Sequence, residues 1–336
     1  MSNFIKLNFY MFFVVLSSGC TTIGSYVLSN PDVYLSEAEF IKAAPEEIGF
    51  TRSEFCSPDK KECIPYITAP PYHADDFPTN GSVYYNLHAI GNGVENTVTH
   101  RMTADTFNRF KGTALLLHGY GGNKEVMMAT AIYFRAIGMN VVIPDLFGHG
   151  ESNETFVFAA REHQILSKLL GQLANEIEGP TIVIGHSMGA LTASNLLSSE
   201  QVDAAILLAP MMRFDLAAKK YLPYKAPFLS RIFSDHIDDI IIQTMKNASV
   251  TLDETDLLNN LTNTRKPVLL VNSNIDSVSP PSYFLSDANS QVTQLIFKNR
   301  AHSSLMAFDK QDSSKIEKWL LKLEDVQTAM YSSSHE

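Results

Sequence analysis

The chain is poor in the residues that mark several functional classes. Only three of its 336 residues are cysteine, and the C-x6-C pair Cys56 and Cys63 has no histidine close by, which makes a poor metal site. Lysine and arginine form no cluster, and the formal net charge is −10, so long-range electrostatics favour neither nucleic acid nor an anionic membrane surface. The N-terminal apolar run, Leu7 to Leu16, is short for a helix that spans a bilayer. No internal repeat or low-complexity tract is present, which excludes a repeat architecture. The apolar fraction of 45% is enough for a large core. The length alone suggests about two domains, but α/β sheets of this size often form one domain carrying an insertion.

The most informative stretch is Thr181-Ile182-Val183-Ile184-Gly185-His186-Ser187-Met188-Gly189-Ala190. It reads as a buried strand entering G-x-S-x-G, followed at once by a helix-forming run. A serine at such a turn has a strained backbone and an exposed hydroxyl, and the flanking glycines avoid collisions with the neighbouring helix and strand. The hydroxyl becomes a useful nucleophile only beside a base and a set of oxyanion donors.

This architecture orders its triad as serine, acid, histidine. Downstream of Ser187 stand His236, His302 and His335. His335 lies in the terminal tail and His236 in a helical, aliphatic-rich segment. His302 follows the strand-like Thr293 to Phe297 in a loop, where a base can reach a serine at the carboxyl edge of a parallel sheet. The acid should follow the preceding strand, Pro267 to Asn272, and Asp276 is the only acid in that loop; Asp287, beyond Pro280-Pro281, is the weaker alternative. Oxyanion donors should be the backbone amide of Met188, directly after the nucleophile, and that of Tyr120 in His118-Gly119-Tyr120-Gly121-Gly122, with its neighbour Gly121 as the alternative donor. His118 reads as structural.

The first 19 residues read as an export signal: one lysine, an apolar run, then Ser17-Ser18-Gly19-Cys20. Small residues ending in cysteine resemble a bacterial lipoprotein cleavage site with Cys20 as the lipidated residue. The third residue before the cysteine is Ser17, where a branched aliphatic is usual. A plain secreted signal and an uncleaved anchor are the alternatives. Cys56 and Cys63 would then remain as a small disulfide loop around the Pro58-Asp59 turn.

Residues 20–80 read as a tether and extension, with a capping-box helix from Ser36 to about Ala44. Residues 81–325 read as the catalytic body and 326–336 as a tail. Within the body, a hairpin flanks Gly91-Asn92-Gly93. Strands at 113–118, 140–144, 181–185 and 204–209 alternate with helices at about 124–137, 156–177 and 188–199. That alternation predicts a mostly parallel sheet with helices on both faces. Between about 211 and 264 an amphipathic helix spanning 226–245 is expected to form a cap over Ser187, with Phe228, Ile232, Phe233, Ile237 and Ile241 turned inward; an outer helix packed on the body is the alternative.

Three motifs carry a family resemblance: His118-Gly119-Tyr120-Gly121, Pro144-Asp145-Leu146-Phe147-Gly148-His149-Gly150-Glu151-Ser152, and Gly185-His186-Ser187-Met188-Gly189. Over residues 80–325 the chain resembles an α/β-hydrolase of the monoacylglycerol lipase and lysophospholipase type, the serine aminopeptidase S33-like hydrolases. Asp276 and His302 fall where that family has its last two triad members. The resemblance implies the α/β-hydrolase fold with a small helical cap, no metal or cofactor, and a scaffold role for His149. It also implies a small-molecule or lipid ester as substrate. The expected activity is ester hydrolysis of a lysophospholipid, monoacylglycerol or carboxylic ester through an acyl-enzyme. An aminopeptidase-like amidase, a thioesterase and a noncatalytic envelope protein are the alternatives. The expected location is the cell envelope, on a lipid anchor facing the periplasm or exterior.

Overall fold

The structure, a computed structural model, describes residues 21–31, 44–59, 61–73, 81–91, 93–103, 106–174, 179–225, 227–284 and 289–333. Strands β1 (Thr51–Cys56) and β2 (Cys63–Ala69) are followed by the hairpin β3 (Ser82–Gly91) and β4 (Val94–Thr103). Five short apolar strands then follow: β5 (Thr113–Leu117), β6 (Asn140–Pro144), β7 (Thr181–His186), β8 (Ala204–Leu208) and β9 (Val268–Ser273). The last strand is β10 (Val292–Phe297). The eight-stranded sheet has the order β1-β2-β6-β5-β7-β8-β9-β10, parallel from β6 to β10 and antiparallel at its β1-β2 end. The hairpin β3-β4 forms a separate two-stranded sheet.

Side chains alternate across a strand with period two, so one apolar run supplies two cores. Leu115 and Leu117 of β5 enter one cluster, Ala114 and Leu116 the other. The first cluster also takes helices α3 (His163–Leu173) and α4 (Gly189–Leu196). The second takes α2 (Met128–Ile137) and α9 (Lys310–Ser333). Strands buried on both faces are near-continuous Val, Ile, Leu and Ala, which is why β5 to β9 were legible.

Three expectations need correction. Residues 51–69 are not a tether, because β2 pairs with β6 and extends the main sheet, and Cys56 and Cys63, opposite each other in the β1-β2 ladder, are disulfide-bonded. The helix expected at 156–177 begins at His163. Before it, Phe158 and Ala159 adopt positive φ, and Thr192 and Asn195 of α4 bond the carbonyls of Ala159 and Ala160.

The cap is several pieces: α5 (Phe214–Lys225), α6 (Pro227–Phe233), a 3-10 turn at Ser234–His236, α7 (Ile237–Asn247) and α8 (Leu258–Asn263). Its expected inward face is divided as well. Ile241 is buried, Phe233 and Ile237 are half-buried against the core, and Phe228 is 74% exposed. The 3-10 turn at Ser234–His236 separates α6 from α7, so the two are not one continuous helix, and the Ile232 side chain lies outside those described.

Residues 21–29 form a helix, α1, packed on the body. The expected signal, Cys20, the helix at Ser36 and Asp287 lie outside the described residues. Among the described residues, no helix is long and apolar enough to cross a membrane.

Candidate active site

Strand β7 delivers Ser187 to the carboxyl edge of the sheet, and α4 leaves it immediately. Ser187 has φ 52°, a left-handed conformation that costs a non-glycine residue energy and persists only where the surroundings hold it. They do so from β8 and the segment just after it: the Ser187 amide donates to the Leu208 carbonyl at 2.9 Å, and the Met211 amide donates to the Ser187 carbonyl at 3.0 Å. Gly185 is required because a Cβ there would lie 2.6 Å from the Cα of Ala190.

The structure brings the three separated residues into one chain of hydrogen bonds. His302 Nε2 is 2.9 Å from Ser187 Oγ, and His302 Nδ1 is 2.6 Å from Asp276 Oδ2. The other oxygen of Asp276 accepts the amides of Val278 at 2.9 Å and Ser279 at 3.1 Å. Burial pushes the Asp276 carboxyl up. The charge and hydrogen bond of His302, with those two amides, outweigh burial and leave the carboxyl below the ordinary aspartate value. An ionised carboxylate only accepts, so Nδ1 carries the proton and Nε2 faces the serine hydroxyl as an acceptor. This is the arrangement that can draw a proton from Ser187.

The backbone amide of Met188 opens α4, where first-turn amides have no intrahelical acceptor. Tyr120 lies on the loop after β5, opposite the elbow. That loop can approach because Gly119 has no side chain; a Cβ there would be 3.1 Å from Ser187 Cβ. Of the two possible donors on the loop, Gly121 is committed elsewhere: its amide donates to His149 Nε2 at 3.2 Å. His149 Nδ1 in turn bonds the Phe147 carbonyl at 3.0 Å. Burial and the neighbouring His118 hold His149 down to about 3, so it stays neutral and keeps Nε2 as an acceptor. His118 makes a matching link, its Nε2 accepting the Leu146 amide at 3.0 Å. Both histidines therefore tie the Tyr120 loop to the turn after β6 and hold no position as a base.

Several supporting residues were not singled out from the sequence. Arg300 is buried and pairs with Asp312 at 2.5 Å, while its Nε donates to Ser304 Oγ and its Nη2 to the carbonyls of Ser304 and Ala307, so the loop carrying His302 is clamped from within. Asn96 of β4 braces the same loop, accepting the Ala301 amide at 2.5 Å and donating to the Asn299 carbonyl at 3.0 Å. The hairpin therefore supports the base. Under the Tyr120 loop, the fully buried Lys124 pairs with Asp145 at 2.5 Å, and Asp145 also accepts the Lys124 and Glu151 amides. Sequence gives the charge of such residues but not their burial. Of these residues, Asp145 and Glu151 belong to the Pro144–Ser152 motif.

A strained serine between strand and helix, with an acid after β9 and a histidine after β10 on a mostly parallel sheet, defines the α/β-hydrolase fold. The esterase Pf2001 of Pyrococcus furiosus shares it in two crystal forms, with TM-scores of 0.54 and 0.56 at 15% and 18% identity. They cover 84% of this chain and 94% and 96% of theirs. Residues 108–254 match the model of the serine aminopeptidase S33 family, a span that holds the Tyr120 loop and the elbow but ends before Asp276. A stretch of 103 residues is 35% identical to Lipase LipV of Mycobacterium tuberculosis; it is 30% of this chain and spans 38% of the lipase.

Proposed function

We propose that the chain is a serine hydrolase that cleaves carboxylic esters of lipid-like alcohols or acids through an acyl-enzyme. The observation that carries this reading is the unbroken chain from Asp276 through His302 to the strained Ser187. Ser187 Oγ attacks the acyl carbonyl while its proton passes to His302 Nε2. Asp276 holds the imidazole tautomer and stabilises the imidazolium. The amides of Met188 and Tyr120 donate hydrogen bonds to the negative charge that develops on the carbonyl oxygen. The tetrahedral centre collapses with loss of the alkoxide, to which His302 returns the proton. A water then attacks the acyl-serine by the same route and releases the acid.

The lipid-like substrate class is supported by the partial likeness to Lipase LipV and by the half-buried aliphatic side chains of the cap. An amidase reading would need a free cap carboxylate to hold an ammonium group. Asp215 is engaged by Arg213, Asp238 by Lys219, Glu254 by Arg161 and Thr251, and Asp256 by the Tyr283 hydroxyl, while Asp239 and Asp253 are exposed as on a solvated helix face, which disfavours it. The proposal includes attachment to the envelope membrane through Cys20. Its support is the apolar run before that residue and the Cys56–Cys63 disulfide, a bond that persists in oxidising compartments.

A hydrolysis panel of acyl chain lengths and head groups, with amides alongside, tests the proposal on the signal-free protein. Turnover of esters with covalent labelling of Ser187 by a fluorophosphonate is expected. Turnover of amides alone, or no labelling, overturns it.

A further inference from the structure

Helix α1 joins two parts of the site from outside the sheet. Its inward side is Gly24, Ser25 and Leu28, buried at the i, i+1, i+4 spacing of one helix face. At one end it meets the cap. Gly24 lies against α7 so closely that a Cβ would stand 2.5 Å from Ile240 Cδ1, and Asn247 Nδ2 donates to Ser25 Oγ at 3.1 Å. At the other end it meets the oxyanion loop, where the Tyr120 hydroxyl donates to the Leu28 carbonyl at 3.1 Å. The Tyr120 ring also lies edge-on to Tyr221 of α5, at 6.2 Å, and to Phe156, at 5.6 Å.

We propose that residues 21–31 are a positioning clamp for the oxyanion hole, acting on the Tyr120 amide through the Tyr120 side chain while holding the cap against the same loop. The inference rests on the serine-hydrolase reading above. An oxyanion donor works only if it is fixed where the charge develops, before it develops. The Tyr120 amide sits on a loop rather than in a strand or helix. Pinning its side chain at the hydroxyl and around the ring removes the freedom the loop would otherwise have. The sequence places this clamp directly after Cys20, so any attachment at that residue acts on it without an intervening linker.

A two-variant cycle on the full mature protein tests the clamp. Tyr120→Phe removes the hydroxyl and keeps the ring and the amide. Gly24→Leu wedges α1 away from Ile240. Each is expected to lower kcat on an acetyl ester by about fivefold, the equivalent of one neutral hydrogen bond, with KM within about twofold. The double variant should lose no more than the worse single, because both act through the same contact. Should Gly24→Leu fail to fold, Asn247→Leu, which removes the bond to Ser25 from the cap side, takes its place. The proposal is overturned if either single variant keeps kcat within about twofold of wild type, or if the two losses multiply. Fluorophosphonate labelling of wild-type Ser187 is the separate control: its absence removes the hydrolase reading itself, whereas labelling with an additive cycle removes only the clamp.

Discussion

His186 Nε2 lies 3.1 Å from the main-chain carbonyl of His302, so the residue before the nucleophile also holds the loop that carries the base. Burial, and then the proximity of His302, hold His186 down to about 3. It is therefore neutral at any working pH, and the carbonyl fixes the proton on Nε2. His186→Ala should lower kcat roughly tenfold and leave Ser187 open to fluorophosphonate, because what is lost is orientation. His186→Gln, whose amide nitrogen can still donate, should recover part of the loss. Equal rates for the two variants would mean the hydrogen bond does nothing for the base.

Ser187→Ala and His302→Ala should each lower kcat by roughly 10⁴–10⁶ with little change in melting temperature. Asp276→Asn should be similarly severe, because an amide presents the wrong partner to Nδ1. If Asp287→Asn is the more damaging of the two, the acid is misassigned. Folding lowers the Asp276 carboxyl, so its share of stability is complete above the ordinary aspartate range and is lost as pH falls through the folded value. Stability of Asp276→Asn should therefore depend less on acid than that of wild type.

Glu162 is fully buried. Its Oε2 accepts the Arg161 amide, while Oε1 has no hydrogen-bond partner among the described residues. Burial, outweighing nearby amides, pushes the carboxyl up to about 7. The sign is opposite to that of Asp276: the stabilisation is complete below the unfolded carboxylate range and is lost as pH rises through about 7. Glu162→Gln should then match wild type near pH 5 and exceed it near pH 8 by about 2–3 kcal/mol of unfolding free energy. Chemical denaturation at the two pH values measures this, and a variant equally stable or weaker at both would exclude a protonated, buried carboxyl.

The cap divides into an inward and an outward half, and substrates should report the division. Ile237→Asp should depress kcat/KM for long acyl chains while sparing acetyl esters. Each CH₂ buried against that face contributes roughly 0.8 kcal/mol. Phe228→Asp, at a 74% exposed side chain, should leave the chain-length profile unchanged. A flat wild-type profile from acetyl onward would remove the acyl-binding role of the cap.

Cys20→Ser should shift the exported protein from the membrane fraction to the soluble or unprocessed one. Wild-type protein found in the cytoplasm, with Cys56 and Cys63 alkylated without reductant, would contradict both the envelope location and the disulfide.

Local features of the sequence were enough to fix the elbow, the chain order of Ser187, Asp276 and His302, and the strands β5 to β9. A doubly buried strand must be a short apolar run, and a serine held at positive φ between strand and helix needs small residues on both sides. The tertiary structure decided what depends on pairing at a distance. Most of β1 is exposed at a sheet edge, so it carries no apolar pattern; β2 does carry one, with Ile64, Tyr66, Ile67 and Ala69 buried, but only its pairing with β6 places it in the main sheet. A choice between Tyr120 and Gly121 as oxyanion donor could not be made until His149 was seen to occupy the Gly121 amide. Lys124 and Arg300 read as ordinary charges in the chain. Only folding buries them, and burial is what turns a charge into a fixed partner, because a desolvated group must find its hydrogen bonds inside the protein.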